Sequence, residues 1–325
     1  MDTNHTDTVL HKERNQESLI TVCAYYKFQP VADPERMREK LRRLCKKHII
    51  KGLTLLGTEG INGTMAGSDA AMKAFRAFIE DDLGFAPLDW KVAYTSQMPF
   101  MRLKIKVKNE ICTSGVPTEA NPIQGVGIYT DPKEWNALIT RDDTVVVDVR
   151  NDFEVQMGTF AHARNPHTTS FREFAAYVDK ELSAYKDTPI AMCCTGGIRC
   201  EKSTAYLKAK GFQHVYHLKG GILRYLEEMP KEQSLWSGEC FVFDERVSVD
   251  HDLKPGSYEL CHGCRLPINA THKASVDYEE GVSCPQCINI RTDDQKSRAR
   301  ERHHQITLAK ARNRSHRGDC SVIEE

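Results

Sequence analysis

Cys194-Thr195-Gly196-Gly197-Ile198-Arg199-Cys200 decides how this chain is read, because of what stands on either side of it. Before it runs an apolar segment, Pro189-Ile190-Ala191-Met192-Cys193, and after it a stretch of helical character from Glu201 to Lys210. Strand, glycine loop and helix start follow one another, which places the loop at the carboxyl end of a strand, where open α/β sheets form their ligand crevices. A cysteine heading such a loop faces backbone N–H groups and the positive end of a helix, and both favour thiolate over thiol. Arg199 adds a permanent cation. Cys194 and Arg199 are therefore the candidate catalytic pair. Thr195, Gly196, Gly197, Ile198 and Cys200 form the cradle for a thiolate, a persulfide or another small anion. A buried packing cysteine is the competing reading, but packing requires neither paired glycines nor an arginine.

Four residues separate Cys194 from Arg199; counted from Cys193 the interval is five, the spacing of a phosphatase-type loop that wraps a tetrahedral phosphate. The shorter ring suits sulfur. Cys193 continues the apolar strand while Cys194 abuts the turn, so Cys194 is read as the nucleophile, solvent-reachable at the mouth of a crevice, and Cys193 as core. Cys200, at the helix start, is read as a cap or packing contact ahead of a resolving thiol. Asp148 and Arg150 are expected to brace the loop through ion pairing.

Outward from the loop, alternating strands and helices from Asp131-Pro132 to about Glu228 predict an α/β domain with a parallel sheet, bounded at 128–235. A Pro, Gly and Thr-rich linker, 113–127, precedes it. The region 19–112 reads as strand, helix, a strand pair through Glu59-Gly60, helix and two further strands, with Asp33 and Ser68 as helix caps. That βαββαβ order predicts a ferredoxin-like (acylphosphatase-like) domain with helices on one face of the sheet and the other face free. Gly57 to Gly63 reads as a turn between strands. Arg102-Leu103-Lys104-Ile105-Lys106-Val107-Lys108 alternates strictly, so Arg102, Lys104, Lys106 and Lys108 line one face of a strand, as a solvated edge or as an RNA contact.

Cys261-His262-Gly263-Cys264 and Cys284-Pro285-Gln286-Cys287 form two C-x2-C pairs separated by 19 residues. This spacing predicts a closed tetrahedral zinc site of structural role, with Cys261, Cys264, Cys284 and Cys287 as ligands in a Cys-rich region, 236–290, and His262 outside the ligand set. Residues 291–325 read as a basic tail: Lys296 to Arg317 carries eight Lys or Arg against one acid. Such a tail either solubilises or tracks phosphates. Residues 1–18 are polar and expected to be disordered. The 325 residues carry 45 basic and 45 acidic side chains, so nucleic-acid binding rests on local asymmetry. Twelve cysteines without a signal peptide or long apolar run point to a soluble cytoplasmic protein with thiol chemistry and metal ligation. No organic cofactor or membrane partner is evident, and the oligomeric state is left open.

Asp148-Val149-Arg150, Glu154, Gly158 before Ala161-His162-Ala163, the Cys194 loop, and Gly211 to Ile222 resemble a rhodanese domain in the correct order. Where that signature usually reads Gly-His-Ile, this chain has Gly158-Thr159-Phe160. Thr58-Glu59-Gly60-Ile61-Asn62, Met101-Arg102-Leu103-Lys104, Cys194 to Lys202 and Phe241-Val242-Phe243-Asp244-Glu245-Arg246 together resemble the bacterial tRNA uridine 34 hydroxylase family, over residues 20–290. The resemblance implies a monooxygenase-type enzyme forming 5-hydroxyuridine at the tRNA wobble position, with molecular oxygen as co-substrate. It further implies the tRNA anticodon stem-loop as partner, a sulfur donor if the thiol works as a persulfide, and Cys194 in the loop-cysteine role. A sulfurtransferase passing persulfide sulfur to another acceptor, and a non-catalytic RNA-binding or zinc module, are the competing functions.

Overall fold

The computed structural model describes residues 19–116 and 120–312. The disorder expected for 1–18, the end of the basic tail and residues 117–119 of the linker lie outside the described residues. The first domain runs β1 (Ile20–Phe28), α1 (Pro34–Lys47), β2 (Lys51–Gly57), β3 (Gly60–Ser68), α2 (Asp69–Ala77), β4 (Lys91–Thr95) and β5 (Leu103–Val107). Asp33 and Ser68 accept the N–H groups of Arg36 and Ala71 and so start the two long helices at the capping residues that the sequence marks. The strand order β4-β1-β3-β2-β5 is the ferredoxin-like sheet, extended at one edge by β5 parallel to β2. Cys23, Tyr25, Leu56, Met65 and Ile105 pack beneath the helices against Leu41, Phe75 and Ile79.

The opposite face, expected to be free, is free only in part. Val22 and Ala24 on β1 and Ala93 on β4 are small or apolar, and Leu223, Val242, Val249 and Leu253 close over them, leaving a cavity of about 40 Å³. That is room for a water or two. On β2 and β5 the same face carries half-buried Leu53 and Leu55 beside exposed Lys104 and Lys106, and it stays open.

The central domain contains β6 (Ile128–Thr130), α3 (Pro132–Ile139), β7 (Val145–Asp148), α4 (Asp152–Met157), β8 (Gly158–Phe160), α5 (Phe174–Tyr177), β9 (Ile190–Cys193), α6 (Ile198–Ala209), β10 (Val215–Leu218) and α7 (Gly221–Glu228). Its sheet, β6-β10-β9-β7, is wholly parallel. Strands β7 and β9 are buried on both faces, as a parallel sheet with two covered sides requires.

Beyond it, β11 (Trp236–Gly238) pairs with β8, β12 (Cys240–Phe241) with β13 (Ser248–Val249), and β14 (Glu259–Leu260) with β15 (Pro267–Ile268). A single turn, α8 (Ala270–Lys273), and a long helix, α9 (Asp293–Ala311), follow. The expected tail is thus helical over 19 residues. Ala299 is buried, and Arg300 forks onto Glu279 at 2.6 Å, anchoring a segment whose charge alone suggests a solvated arm.

Candidate active site and metal-ligand cluster

Strand β9 ends at Cys193 and α6 begins at Ile198, so Cys194 is the first residue of the connecting loop. The Gly197 N–H donates to Cys194 Sγ at 3.2 Å. Burial alone pushes this thiol up. Opposing it are a hydrogen bond from the Cys200 thiol, the Arg199 charge and the backbone N–H groups of Cys200 and Gly197, and the balance brings it down to about 6. Neighbouring Cys193, in the strand, is pushed well above the ordinary thiol range by desolvation, and so is Cys200. A second glycine turn locks the loop: the N–H groups of Ile222 and Leu223 donate to Cys194 O and Thr195 O. Gly221 sits so close that a Cβ there would fall 2.6 Å from Cys194 O.

One expectation fails. The sequence suggests a solvent-reachable Cys194 at the mouth of a crevice, yet the residue is fully buried. Cys194 packs into the central domain's own core with Val149, Phe171 and Cys200, and the first domain adds a contact at the loop. Tyr26 on β1 lies against the loop, so that a Cβ at Gly197 would fall 2.6 Å from Tyr26 Oη.

Arg199 does not grip the sulfur directly. Its guanidinium forks onto Glu154 at 2.6 and 2.7 Å, both groups being buried, and acts on Cys194 through its field. Asp148 and Arg150 pair with each other at 2.6 and 2.8 Å, and they brace the Gly158 turn rather than the loop. Arg150 donates to Gly158 O, and Thr159, at the position where the rhodanese signature departs, donates to Asp148 at 2.8 Å. The brace expected of Asp148 and Arg150 falls instead to Glu154.

The first turn of α6 also joins the domains. Tyr26 and Tyr129 both donate to Glu201 Oε1, at 2.8 and 2.9 Å, and burial holds the Glu201 carboxyl above its usual range despite them. Lys202, itself buried, reaches Glu59 at 3.0 Å and Glu110 at 2.6 Å. None of Tyr26, Glu59, Glu110, Tyr129, Glu154, Glu201 or Lys202 stands out in the sequence as a site residue. Glu59, Glu154, Glu201 and Lys202 do lie inside the motif stretches quoted above, which is the available signal; Tyr26 has none.

Arg102, Lys104, Lys106 and Lys108 are exposed, while Leu103 and Val107 are half-buried and Ile105 is buried. Register puts Tyr26, Asn62, Leu55 and Lys106 in one row across β1, β3, β2 and β5. Three inter-strand steps make that row about 14 Å long. The basic strand and the tyrosine against the Cys194 loop therefore share one face.

The sulfurs of Cys261, Cys264, Cys284 and Cys287 lie within 4.8 Å of one another. The separations Cys261–Cys287, Cys264–Cys284 and Cys284–Cys287 are 4.0, 3.8 and 3.9 Å. Tetrahedral zinc with bonds of about 2.3 Å requires edges of about 3.8 Å. The four residues can hold a metal. Exposed His262 is not among them.

Residues 20–111 match the UPF0176 acylphosphatase like domain, and residues 131–228 match the rhodanese-like domain. The tRNA uridine(34) hydroxylase of Agrobacterium fabrum is 50% identical over 313 residues, covering 96% of this chain and 99% of that protein. Among solved structures, the Alr3790 protein of Anabaena sp. is 18% identical over 34% of this chain and 91% of its own, with a TM-score of 0.28. A rhodanese-related protein of Thermoplasma volcanium is 21% identical over 31% of this chain and 93% of its own, with a TM-score of 0.26.

Proposed function

This chain belongs to the tRNA uridine(34) hydroxylase family, and from that premise we propose that it hydroxylates uridine 34 of tRNA to 5-hydroxyuridine, with molecular oxygen as co-substrate, a two-electron reductant such as a thiol taking the second oxygen atom to water, and Cys194 as the reacting sulfur. The observation that carries this reading is the state of Cys194: a thiol brought down to about 6 inside a loop that closes against the basic-strand face of the first domain. At neutral pH it is largely thiolate without a separate base, since Cys200 and two backbone N–H groups already stabilise the anion. The same donors suit a persulfide received from a sulfur donor. Thr195, Gly196, Gly197 and Ile198 form the wall of the cradle, and Arg199, held by Glu154, supplies its positive field.

A wobble uridine is unpaired, so turning it out of the anticodon loop costs little compared with a paired base. Its entry displaces Tyr26 from Gly197. Arg102, Lys104, Lys106 and Lys108 hold the phosphates of the anticodon stem-loop about 14 Å away along the same sheet face. Zinc bound by Cys261, Cys264, Cys284 and Cys287 staples the following segment, and a closed set of four thiolates leaves no position for substrate. The reaction takes place in the cytoplasm, where reduced thiols persist.

The test is mass analysis of tRNA nucleosides from cells lacking the protein and complemented with wild type or Cys194→Ala. Wild type restores the hydroxylated wobble uridine, and the variant restores at least about 10³-fold less. Unchanged wobble hydroxylation in cells lacking the protein, together with loss of thiosulfate sulfurtransfer, selects the sulfurtransferase reading. Full function in Cys194→Ala selects a binding module.

A further inference from the structure

Phe243 is 62% exposed, and among the described residues no other phenylalanine is exposed to a comparable degree. Its ring does not hang from a loose loop. It stands edge-on to Phe241 at 4.9 Å, and Phe241 stands edge-on to Phe153 at 5.1 Å. The turn that carries it is closed by hydrogen bonds from Val242 N–H to Val247 O and from Val247 N–H to Asp244 O. Arg246 forks onto Asp244 at 2.6 and 2.8 Å inside that turn. Val247, a β-branched residue, takes a left-handed φ of 63° to complete it. That conformation is costly for such a side chain, and it persists only where the surroundings impose it.

Two contacts place the ring and its turn. The Arg199 guanidinium, already held by Glu154, lies 5.8 Å from the ring centroid. On the other side, Glu245 N–H donates to Pro99 O at 3.0 Å, in the loop that leads into basic strand β5. A solvent-facing aromatic thus stands beside Arg199 of the Cys194 loop, on a turn bonded to the connection that enters the strand bearing Lys104 and Lys106. Aromatic rings in such positions stack unpaired bases without regard to their hydrogen-bonding edges.

We propose that Phe243 is a stacking platform for an unpaired nucleobase of the substrate RNA, holding the anticodon loop open while the uridine is at Cys194. This rests on the hydroxylase reading, so the measurement begins with wild-type protein and a short anticodon stem-loop RNA. KM and kcat for hydroxylation are then compared among wild type, Phe243→Ala, Phe243→Leu and Phe243→Trp. Stacking predicts that KM rises about 5- to 140-fold in the alanine variant, the range for loss of one stacked base. The leucine variant, still apolar, rises comparably, and the tryptophan variant stays within about threefold of wild type. An unchanged KM in Phe243→Ala overturns the proposal, as does full rescue by leucine, which would make the contact merely apolar. A fall in kcat at constant KM also overturns it, because the ring would then act through Arg199 on the sulfur. Failure of the wild-type protein to hydroxylate the RNA at all would instead strike the underlying reading.

Discussion

Two sulfur centres in this molecule begin from similar sequence material, cysteines beside glycines and tight turns, and end in opposite chemical states. At Cys194 a parallel sheet and the start of a 12-residue helix aim N–H groups and a thiol donor at one sulfur, within the field of a fixed arginine. Its neighbours Cys193 and Cys200 are desolvated and pushed up, so only one of these three thiols is poised. At Cys261, Cys264, Cys284 and Cys287 the sulfurs face one another. There the packed cluster holds little beyond the four cysteines, Ile268 and Tyr278. What surrounds a thiol, rather than its spacing from the next one, decides whether it stands as a lone stabilised anion or as one of a set able to hold a metal.

The largest effect expected from this contrast is on the second centre. Stripping the metal with a chelator, or replacing Cys284 by Ser, removes a contribution of about 10 kcal/mol or more to the folding of that segment. Limited proteolysis should then cut within 256–292, while the protein as isolated carries one zinc per chain by elemental analysis. Intact resistance to protease after chelation would mean that the small apolar core suffices. At the first centre, Glu154→Gln leaves the Arg199 charge buried without its partner, at a cost of about 3 kcal/mol. The variant should show a lower thermal midpoint, with the zinc content unchanged. Equal stability would show that Arg199 is held by something other than the fork. The smallest effect belongs to a change that touches neither sulfur centre. Lys104→Glu with Lys106→Glu should weaken RNA binding and reduce the salt slope by about 0.7 for each single-strand phosphate that these lysines no longer neutralise. An unchanged slope would move the RNA off that sheet face.

Much of the fold is legible in the chain because the signals are local. Asp33 and Pro34 mark the start of α1, strict alternation marks β5, and paired glycines before an arginine mark the Cys194 loop. What escapes a reading of the sequence depends on distant segments meeting. Cys194 sinks into the central domain's core, and Tyr26 of another domain lies against Gly197 of its loop, a contact that no periodicity in either segment announces. Glu154 takes the bracing role expected of Asp148 and Arg150 because its side chain folds under the loop, whereas Asp148 and Arg150 satisfy each other. The C-terminal helix reads as a tail because its charge is high and its apolar residues few, and its anchor, Glu279, lies in the metal-ligand segment.

The proposed chemistry turns on the ionisation of one thiol, and a titration that does not require access to it tests the matter directly. The ultraviolet thiolate absorbance of wild type minus that of Cys194→Ser, followed across pH, should rise with a midpoint near 6. The sign follows from the lowered value: the anion is present above that pH and lost as pH falls through it. A difference curve centred near the ordinary thiol value of 9.0 would contradict the claim that this loop makes Cys194 a stabilised anion.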